Sequence, residues 1–461
     1  MKNVVVLGGG PAGYVAAIRA VQLGAEVTLV EAEKLGGTCL NRGCIPTKAL
    51  IFSAKTFESI KKGQQEGIIL PGALGIDFNR VMERKFAVVN RLVKGLQQLL
   101  TRQRIKVMEG RGVLGNDRTV EVALKNGDQQ FLNPDAIILC TGSEPSFPKD
   151  IQPDGEWAVT STEALSFGEI PGTLAIIGGG VIGVEFAYIY STMGSKVSII
   201  EVENTLLPQE DQEAGKVLAT SLTRAGVNIH LSTRVIGMDR ESRQVMIADV
   251  SGARKSLDAA KVLVATGRRP HLSGLSDGMK SLLCSQGSIK VNSFLETSIP
   301  NVWAAGDVTG VCQLAHAAFE QGEIAAENAV LCVRKAVDLT SVSRCVYTSP
   351  EIASVGMSEV RARELYNDVI IGRFPMLANG KALADDAGEG FVKIIASRKH
   401  GQVLGVVMVG SHVSEIIGQA GLSLQLEATL DELANVVAPH PTVSETLKEA
   451  ALNALGRAIH I

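Results

Sequence analysis

The chain has 461 residues, of which 46% are hydrophobic and 20% charged, and its formal net charge is −3. Because this length exceeds what one hydrophobic core usually accommodates, we expect two to four domains, and the composition excludes an intrinsically disordered chain. The small negative charge gives no indication of a nucleic-acid partner. No apolar run reaches the roughly 18 residues of a membrane-spanning helix, so we expect no membrane association.

The apolar N-terminal segment MKNVVVLGGG runs directly into glycines. We interpret it as a β-strand rather than a signal peptide, because no small-residue cleavage site accompanies it. The seven cysteines are too few for a disulfide scaffold in a chain of this length, and their number is odd. The sequence therefore predicts a cytoplasmic protein whose thiols are mostly reduced.

A strand–turn–helix–strand pattern occurs twice, in residues 2–31 and 173–201. It predicts two βαβ units with buried parallel strands, and hence an α/β chain with two Rossmann-like dinucleotide-binding domains. Beyond about residue 340, the strands EGFVKIIAS and GQVLGVVMVG and one amphipathic stretch over residues 414–437 predict a C-terminal α+β domain.

Two further strands, AIILCTGSEP and KVLVATGRRP, each end on a Thr-Gly turn that a proline follows. Such turns mark exits from a sheet, so we place domain boundaries near residues 148, 271 and 340. Segments 1–148 and 272–340 then form the first dinucleotide-binding domain. Segment 149–271 forms the second, and segment 341–461 forms the α+β domain.

The first glycine fingerprint is Gly8-x-Gly10-x-x-Gly13, at the junction of the first strand and helix. These glycines permit a tight turn, and the N–H groups of the helix N-terminus would meet a pyrophosphate. Glu31, at the end of the next strand, is placed to accept hydrogen bonds from an adenosine ribose. A lone fingerprint can be a mere tight turn, but the surrounding strand, helix and carboxylate favour a dinucleotide site.

The second fingerprint, Gly178-x-Gly180-x-x-Gly183 with Glu201, repeats this argument. The Glu201 carboxylate would repel the 2′-phosphate of NADP, and the following VENTLLP contains no arginine to hold that phosphate. The second site is therefore predicted to bind NAD rather than NADP.

The segment TSIPNVWAAGD predicts a strand that ends on Asp307. Gly-Asp pairs are common in surface turns, but this carboxylate would also suit a polyol such as the ribityl chain of a flavin. The following helix should begin near residues 313–316, where Leu314 and Ala315 are candidate cofactor contacts. Its dipole would stabilise negative charge on an isoalloxazine ring.

Cys39 and Cys44 lie five residues apart in GGTCLNRGCIPTK. A regular helix would hold residues i and i+5 beyond the ~4.4–6.8 Å Cα separation of a disulfide, so a bridge requires a distorted turn. Strained disulfides are readily reduced, which favours a redox-active pair. Zinc is the rival, but no second Cys/His pair has ligand spacing, and we predict no metal site. We interpret the remaining cysteines as small buried hydrophobes: Cys140, Cys284, Cys312, Cys332 and Cys345.

The segment APHPTVSETLKEA places His440 and Glu445 just before or inside the start of a helix. A histidine there is often a surface or capping residue, and Thr442 or Ser444 would cap the helix equally well. Beside an exchangeable disulfide, His440 would instead be the base that deprotonates an incoming thiol, with Glu445 orienting its imidazole. The sequence alone does not bring residue 440 near residue 44.

In this order along the whole chain, GGGPAG, GGTCLNRGCIPTK, GGGVIGVEFA, VWAAGD and HPTVSE resemble the motifs of the pyridine nucleotide–disulfide oxidoreductases. The resemblance is closest to the branch that oxidises dihydrolipoamide. It implies a flavoprotein enzyme with FAD bound to segments 1–148 and 272–340, NAD bound to segment 149–271 and homodimerisation through segment 341–461. The implied reaction is oxidation of protein-bound dihydrolipoamide to lipoamide with reduction of NAD to NADH. The implied partners are the lipoyl domains of a 2-oxo-acid dehydrogenase or glycine-cleavage complex.

The resemblance also implies roles for individual residues. Cys39 would exchange with substrate, and Cys44 would lie against the flavin as the charge-transfer thiolate. Lys48 would sit near the flavin N5 and pair with Glu185, and the base His440 would come from the partner subunit. The further implied cofactor contacts are Gly37, Thr38, Thr141, Gly142 and Gly267.

Other members of the family fit less well. Glutathione-type reductases have a tyrosine where this chain has Val181, and soluble transhydrogenases lack the counterpart of Cys39. Outside catalysis, the alternative is a flavoprotein with an assembly role and a vestigial site, against which the intact cysteine and histidine motifs argue. Another small dithiol stays open as the substrate.

Overall fold

The computed structural model describes residues 1–284 and 287–461, which form two compact units. The first comprises Met1–Ala49, Asn79–Ser146 and Gly267–Leu339, and the second comprises Leu50–Phe78, Phe147–Thr266 and Thr340–Ile461. The predicted fold class is confirmed, since parallel sheets of the Rossmann kind and a C-terminal antiparallel sheet are both present. The predicted division into four segments stays a prediction. Within the described ranges, no helix combines the length and apolar character that crossing a membrane requires.

Helices occur along most of the chain. The α-helices are α1 Pro11–Gln22, α2 Gly37–Arg42, α3 Cys44–Gly63, α4 Phe78–Arg102, α5 Ser161–Ala164, α6 Val181–Thr192, α7 Gln212–Arg224, α8 Ala315–Leu331, α9 Glu359–Leu365, α10 Gly380–Ala384, α11 Val413–Gln425, α12 Leu430–Asn435 and α13 Glu445–Ala454. Short 3₁₀ turns cover Asp277–Leu282, Asp307–Thr309 and Met376–Ala378.

The strands are short and belong to five sheets. They are β1 Asn3–Leu7, β2 Glu26–Glu31, β3 Lys106–Leu114, β4 Val120–Leu124, β5 Gln129–Leu132, β6 Ala136–Leu139, β7 Ser143–Pro145, β8 Ala158–Val159, β9 Thr173–Ile177, β10 Lys196–Ile200, β11 Asn228–His230, β12 Thr233–Asp239, β13 Gln244–Asp249, β14 Arg254–Asp258, β15 Lys261–Val264, β16 Arg268–Pro270, β17 Val302–Ala304, β18 Arg344–Val346, β19 Glu351–Gly356, β20 Val369–Pro375, β21 Phe391–Ser397 and β22 Val403–Gly410.

The first unit is built on a sheet with strand order β17-β6-β1-β2-β3-β4-β5. The pairs from β17 to β3 are parallel, and β3 continues into antiparallel pairs with β4 and β5. Alanine-rich faces of α1 and α8 pack into its core. Because parallel strands end at the same edge, Gly8 after β1, Glu31 of β2, Thr141 after β6 and Asp307 after β17 gather at one edge of the sheet.

The second unit contains a parallel sheet of order β11-β10-β9-β15-β8 and an antiparallel sheet of order β18-β19-β22-β21-β20. Gly178 follows β9 and Glu201 follows β10, so the second fingerprint and its carboxylate share the carboxyl edge of the parallel sheet. The antiparallel sheet packs its apolar side chains against α11, α12 and α13 in one core.

The third glycine of each fingerprint lies against the first. A Cβ at Gly13 would come within 1.7 Å of the Gly8 carbonyl oxygen, and a Cβ at Gly183 within 1.9 Å of the Gly178 carbonyl oxygen. Any side chain would therefore push the helix off the strand that precedes it. This contact explains the spacing of the glycines in both repeats.

The amphipathic stretch over residues 414–437 forms two helices. The helix α11 ends at Gln425, and α12 begins at Leu430 after Glu427 takes a left-handed conformation with φ of 52°. Thr429 and Glu432 form a capping box at the new N-terminus, so the T-x-x-E signature marks the break.

Candidate active site

The two cysteines of GGTCLNRGCIPTK lie on either side of a helix break. Cys39 belongs to α2, and Cys44 is the first residue of α3. Gly43 separates the helices with φ −144° and ψ −113°, far from helical values. The break brings the Cys39 thiol into hydrogen-bond contact with Cys44. A distorted turn of this kind is what the five-residue spacing requires.

No disulfide joins the two cysteines in this structure, and their sulfurs interact instead through a hydrogen bond. The hydrogen bond to Cys44, burial and the negative charge on Cys44 together raise the pKa of Cys39, while the Lys48 ammonium acts in the opposite direction. The Cys39 thiol therefore gives up its proton less readily than an isolated thiol. Lys48 follows Cys44 by one turn of α3, on the same side of the helix.

The cysteine segment is held against the first fingerprint. The Gly36 N–H donates to the Gly9 carbonyl at 2.8 Å, and a Cβ at Gly37 would lie 2.7 Å from Gly10 Cα. Only a residue without a side chain allows this approach at Gly37. Thr38, the next residue, is half-buried. The redox pair therefore stands beside the N-terminus of α1 in the first unit.

The two fingerprint carboxylates make matching contacts. Glu31 Oε2 accepts the Gly9 N–H at 2.6 Å, and Glu31 Oε1 accepts the Glu33 N–H at 2.7 Å. Glu201 Oε2 accepts the Gly179 N–H at 2.6 Å, and Glu201 Oε1 accepts the N–H two residues further on at 2.8 Å. Each carboxylate thus fixes the glycine turn beside it. The repeat seen in the sequence extends to these hydrogen bonds.

Asp307 belongs to a buried polar network rather than to a surface turn. The Ser143 hydroxyl donates to Asp307 Oδ2 at 2.5 Å, and Arg268 Nε and Nη2 donate to the hydroxyl and carbonyl of Ser143 at 2.8 and 2.7 Å. Burial raises the pKa of Asp307, although the Ser143 hydroxyl and the Arg268 guanidinium oppose this rise. Burial also lowers the pKa of Arg268.

Ser143 and Arg268 were not singled out from the sequence. They lie 125 residues apart, on the strands β7 and β16, which pair antiparallel. These are the two strands that follow the Thr-Gly turns, and the likeness of AIILCTGSEP and KVLVATGRRP is the signal that points to them. Because β7 pairs with β16, the two segments that follow the Thr-Gly turns lie side by side in the first unit.

The remaining predicted contacts of the first unit lie on turns and at a helix start. Gly142 and Gly267 have positive φ of 76° and 122°, and no atom lies within 4 Å of where a Cβ would be. The Thr141 hydroxyl donates to the His271 carbonyl at 2.6 Å. The helix α8 begins at Ala315 with Leu314 as N-cap and no capping side chain, inside the predicted range 313–316.

His440 and Glu445 are in direct contact in the second unit. His440 Nδ1 lies 2.9 Å from Glu445 Oε1, and Glu445 Oε2 accepts the Thr442 N–H at 2.8 Å. Although burial acts to raise it, the hydrogen bonds from Thr442 and His440 hold the pKa of Glu445 below its ordinary value. Ser444 is the N-cap of α13 but makes no side-chain capping hydrogen bond, and the Thr442 hydroxyl donates to the Pro439 carbonyl at 2.7 Å, so neither alternative cap is formed. The His440 side chain is 79% exposed, with its ring held by the carboxylate.

Glu185 is buried in α6, and its Oε1 accepts the Tyr347 N–H at 3.1 Å. This contact links the helix of the second fingerprint to the segment that follows β18. Its pairing with Lys48 stays a prediction.

The residues present fit the two predicted nucleotides. The N-cap residues of α1 and α6 are Gly10 and Gly180, and neither has a side chain that caps the helix. The backbone N–H groups at both helix N-termini are therefore suited to bind a pyrophosphate. No atom lies within 4 Å of a Cβ position at Gly180. Asp307 lies near the same sheet edge as the first fingerprint, and its buried carboxylate provides a hydrogen-bond acceptor for a polyol.

Comparison with known families decides the affiliation. Residues 2–322 match the family described as pyridine nucleotide-disulphide oxidoreductase, and residues 342–451 match the dimerisation domain of the same family. The chain belongs to this family. The pyridine nucleotide-disulphide oxidoreductase resemblance drawn from the motifs is thereby confirmed.

Relatives in this family match over nearly the whole chain. A dihydrolipoyl dehydrogenase of Bacillus subtilis is 43% identical over 460 residues, covering 99% of this chain and all of the relative. A dihydrolipoyl dehydrogenase of Pseudomonas aeruginosa is 37% identical over 461 residues, covering 100% of this chain and 98% of the relative. Among solved structures, LpdA from Mycobacterium tuberculosis is similar with a TM-score of 0.90 and 27% identity, covering 98% of this chain and 99% of that one.

Proposed function

We propose that this chain is a dihydrolipoyl dehydrogenase, which oxidises protein-bound dihydrolipoamide to lipoamide and reduces NAD to NADH through the Cys39–Cys44 pair and FAD. The observation that carries the proposal is the hydrogen-bond contact between the two cysteines across the helix break at Gly43. Full-length relatives named dihydrolipoyl dehydrogenase support the choice of substrate.

The chemistry begins with the oxidised pair. His440 takes the proton of one substrate thiol, and the thiolate attacks Cys39, so that a mixed disulfide forms and Cys44 leaves as a thiolate. The second substrate thiol then attacks the substrate sulfur of the mixed disulfide, its proton passes to Cys39, lipoamide departs, and Cys39 leaves as a thiol. One disulfide has formed and one has broken, so two electrons now reside on the pair, while His440 retains the proton of the first substrate thiol.

Bound FAD would supply the route by which these two electrons reach NAD. The residues that would hold it are Gly8, Gly10, Gly13, Glu31, Gly37, Thr38, Lys48, Thr141, Gly142, Gly267, Asp307, Leu314 and Ala315. Those that would hold or adjoin NAD are Gly178, Gly180, Gly183, Glu185 and Glu201. The Glu201 carboxylate would disfavour the 2′-phosphate of NADP, which supports NAD as the acceptor.

A homodimer is supported by the match to the dimerisation domain and by exposed apolar side chains in the second unit. Val437 is 92% exposed three residues before His440, a position that a second copy would cover. We propose that His440 acts on the cysteine pair of the partner subunit. Lipoyl domains of a 2-oxo-acid dehydrogenase or glycine-cleavage complex would deliver the substrate. Seven cysteines are too few for a disulfide scaffold in a chain of this length, which supports a cytoplasmic location.

The test is a steady-state comparison of dihydrolipoamide with glutathione as electron donors, each with NAD and with NADP. The purified protein should carry one FAD per chain and turn over dihydrolipoamide with NAD at the highest kcat/KM. A protein that binds FAD but turns over none of the thiols would favour the assembly role instead. A preference for glutathione or for NADP would contradict the proposal.

A further inference from the structure

The segment that joins Glu201 to α7, residues 202–211, lies against the second glycine fingerprint, and we call it the nucleotide loop. The Leu207 N–H donates to the Gly179 carbonyl at 2.9 Å. The Leu206 side chain packs so closely that a Cβ at Gly179 would lie 2.6 Å from Leu206 Cδ2. The loop therefore forms the support of the turn on which a dinucleotide would rest.

The loop holds a backbone conformation that it would not adopt unaided. Leu207 is buried and has a φ of +53°, in the left-handed region that a branched apolar side chain rarely occupies. Such a conformation persists only where the surroundings over-determine it. The Glu210 N–H donates to the Leu207 carbonyl at 2.8 Å, which ties this residue to the far end of the loop.

Glu210 and Asp211, at the end of the nucleotide loop, bind residues of the C-terminal antiparallel sheet in the same unit. The Glu210 carboxylate, 6% exposed, accepts Arg344 Nε at 2.8 Å and the Ser354 hydroxyl at 2.6 Å. Lys393 Nζ lies 2.6 Å from Asp211 Oδ2, with side chains that are 2% and 8% exposed. Arg344, Ser354 and Lys393 belong to three strands of one sheet, so the fastening is rigid.

Each charge at this end of the loop has a partner of opposite sign. Lys393 Nζ also approaches Glu213 at 3.5 Å and Glu359 at 3.4 Å. Arg373 binds the same Glu213 carboxylate at 2.5 Å, and Arg363 binds Glu359 at 2.8 Å. Buried ions tolerate this environment only when they are paired. Removing one partner would leave an uncompensated charge and release the end of the loop.

We propose that Glu210 and Lys393 are positioning residues for NAD, through which the C-terminal sheet holds the nucleotide loop and the second glycine turn in their binding conformation. The inference rests on the proposed function, because it takes the second fingerprint as the NAD site. Release of Glu210 would let Leu207 leave its left-handed conformation and Leu206 leave Gly179. The turn that Glu201 also fixes would then have to be ordered again on each binding event, which weakens binding.

The test measures NADH binding by anaerobic calorimetry to the purified holoenzyme, which is fully reduced beforehand so that NADH binds without transferring electrons. KM for NAD and KM for dihydrolipoamide are measured in parallel. Glu210→Ala and Lys393→Met should weaken NADH binding about three- to thirtyfold and raise KM for NAD similarly. For both variants, KM for dihydrolipoamide should stay within twofold of the wild-type value. Both variants should remain dimers and should bind as much FAD per chain as the wild type. Glu210→Gln retains an acceptor for the Ser354 hydroxyl and should recover part of the loss.

The matched control is Arg224→Gln, which breaks the exposed pair Arg224–Glu389 at the opposite end of α7 and should leave NADH binding within twofold. Folded variants that bind NADH like the wild type, or an equal loss in Arg224→Gln, would overturn the inference. If Lys393→Met does not fold, Glu210→Ala decides by the same measure. A wild-type protein that binds no NADH would instead contradict the proposed function itself.

Discussion

At the scale of single residues, environment distinguishes the cysteines of this chain. The hydrogen bond to Cys44 and burial raise the pKa of Cys39, while the Lys48 ammonium, one turn further along α3, opposes this rise. Cys140 shows the contrast, since burial is the cause that raises the pKa of its thiol. A nucleophilic sulfur therefore needs a charged neighbour as well as access.

The His440–Glu445 pair should be needed for the step with substrate. His440→Gln should lower kcat with dihydrolipoamide by about 10²- to 10⁴-fold, because general-base catalysis is lost. Glu445→Gln should give a smaller loss, since the ring stays in place but loses the carboxylate. Steady-state kinetics at saturating NAD checks both changes. Wild-type kcat in His440→Gln would remove this residue from the mechanism.

Glu445 also predicts a pH dependence of stability. Its pKa is lowered in the folded state, so its stabilising contribution is fully present above the ordinary carboxyl pKa of about 4.5 and is lost as the pH falls through the lowered value. The Tm of Glu445→Gln should therefore lie below that of the wild type at pH 7. The two values should converge as the pH falls below about 4. A difference in Tm between the two proteins that grows as the pH falls would contradict a stabilising contribution from the ionised Glu445 carboxylate.

At the scale of elements, the glycine contacts decide how closely helices approach strands. Gly13→Ala should destabilise the fold by at least about 1–3 kcal/mol and lower the bound FAD, because α1 must move off β1. Gly95→Ala is the control, since no atom lies within 4 Å of its Cβ position inside α4, and alanine there should stabilise by about 0.5–1 kcal/mol. Denaturant unfolding and FAD content per chain measure both. Equal unfolding midpoints would show that the close contact is not needed.

Element types were predictable from the sequence wherever periodicity was strong. The strands β1 and β9, which precede Gly8 and Gly178, were predicted correctly because their residues are apolar and a helix follows each strand directly. The break at Leu426–Thr429 was missed, because the apolar pattern continues across it and only the capping box reports it. Tertiary placement was harder still, since the Ser143–Asp307 hydrogen bond joins residues 164 positions apart. Pairing of β7 with β16 creates that network, and hydrophobic pattern alone does not specify it.

At the scale of the whole molecule, the proposed site shared between subunits would explain why Cys44 and His440 lie far apart along the chain. Cys44→Ala and His440→Gln homodimers should both be nearly inactive. Refolded together in equal amounts, they should recover about a quarter of the wild-type activity, because half of the dimers are hybrids with one intact site. Each variant refolded alone is the control. No recovery in a sample shown to contain hybrids would place both groups in one chain.

The central claim is that electrons from dihydrolipoamide enter this chain through Cys39 and Cys44. Differential alkylation under anaerobic conditions tests it, with mass spectrometry of the protein before and after one equivalent of dihydrolipoamide. In the air-oxidised holoenzyme these two sulfurs should be protected, and reduction should increase the alkylation of Cys39 and Cys44 alone. The exposed Cys332 should be alkylated equally in both samples, and the buried Cys140 in neither. Formation of NADH on later addition of NAD, with Cys39 and Cys44 unlabelled throughout or with other cysteines labelled in their place, would contradict the claim.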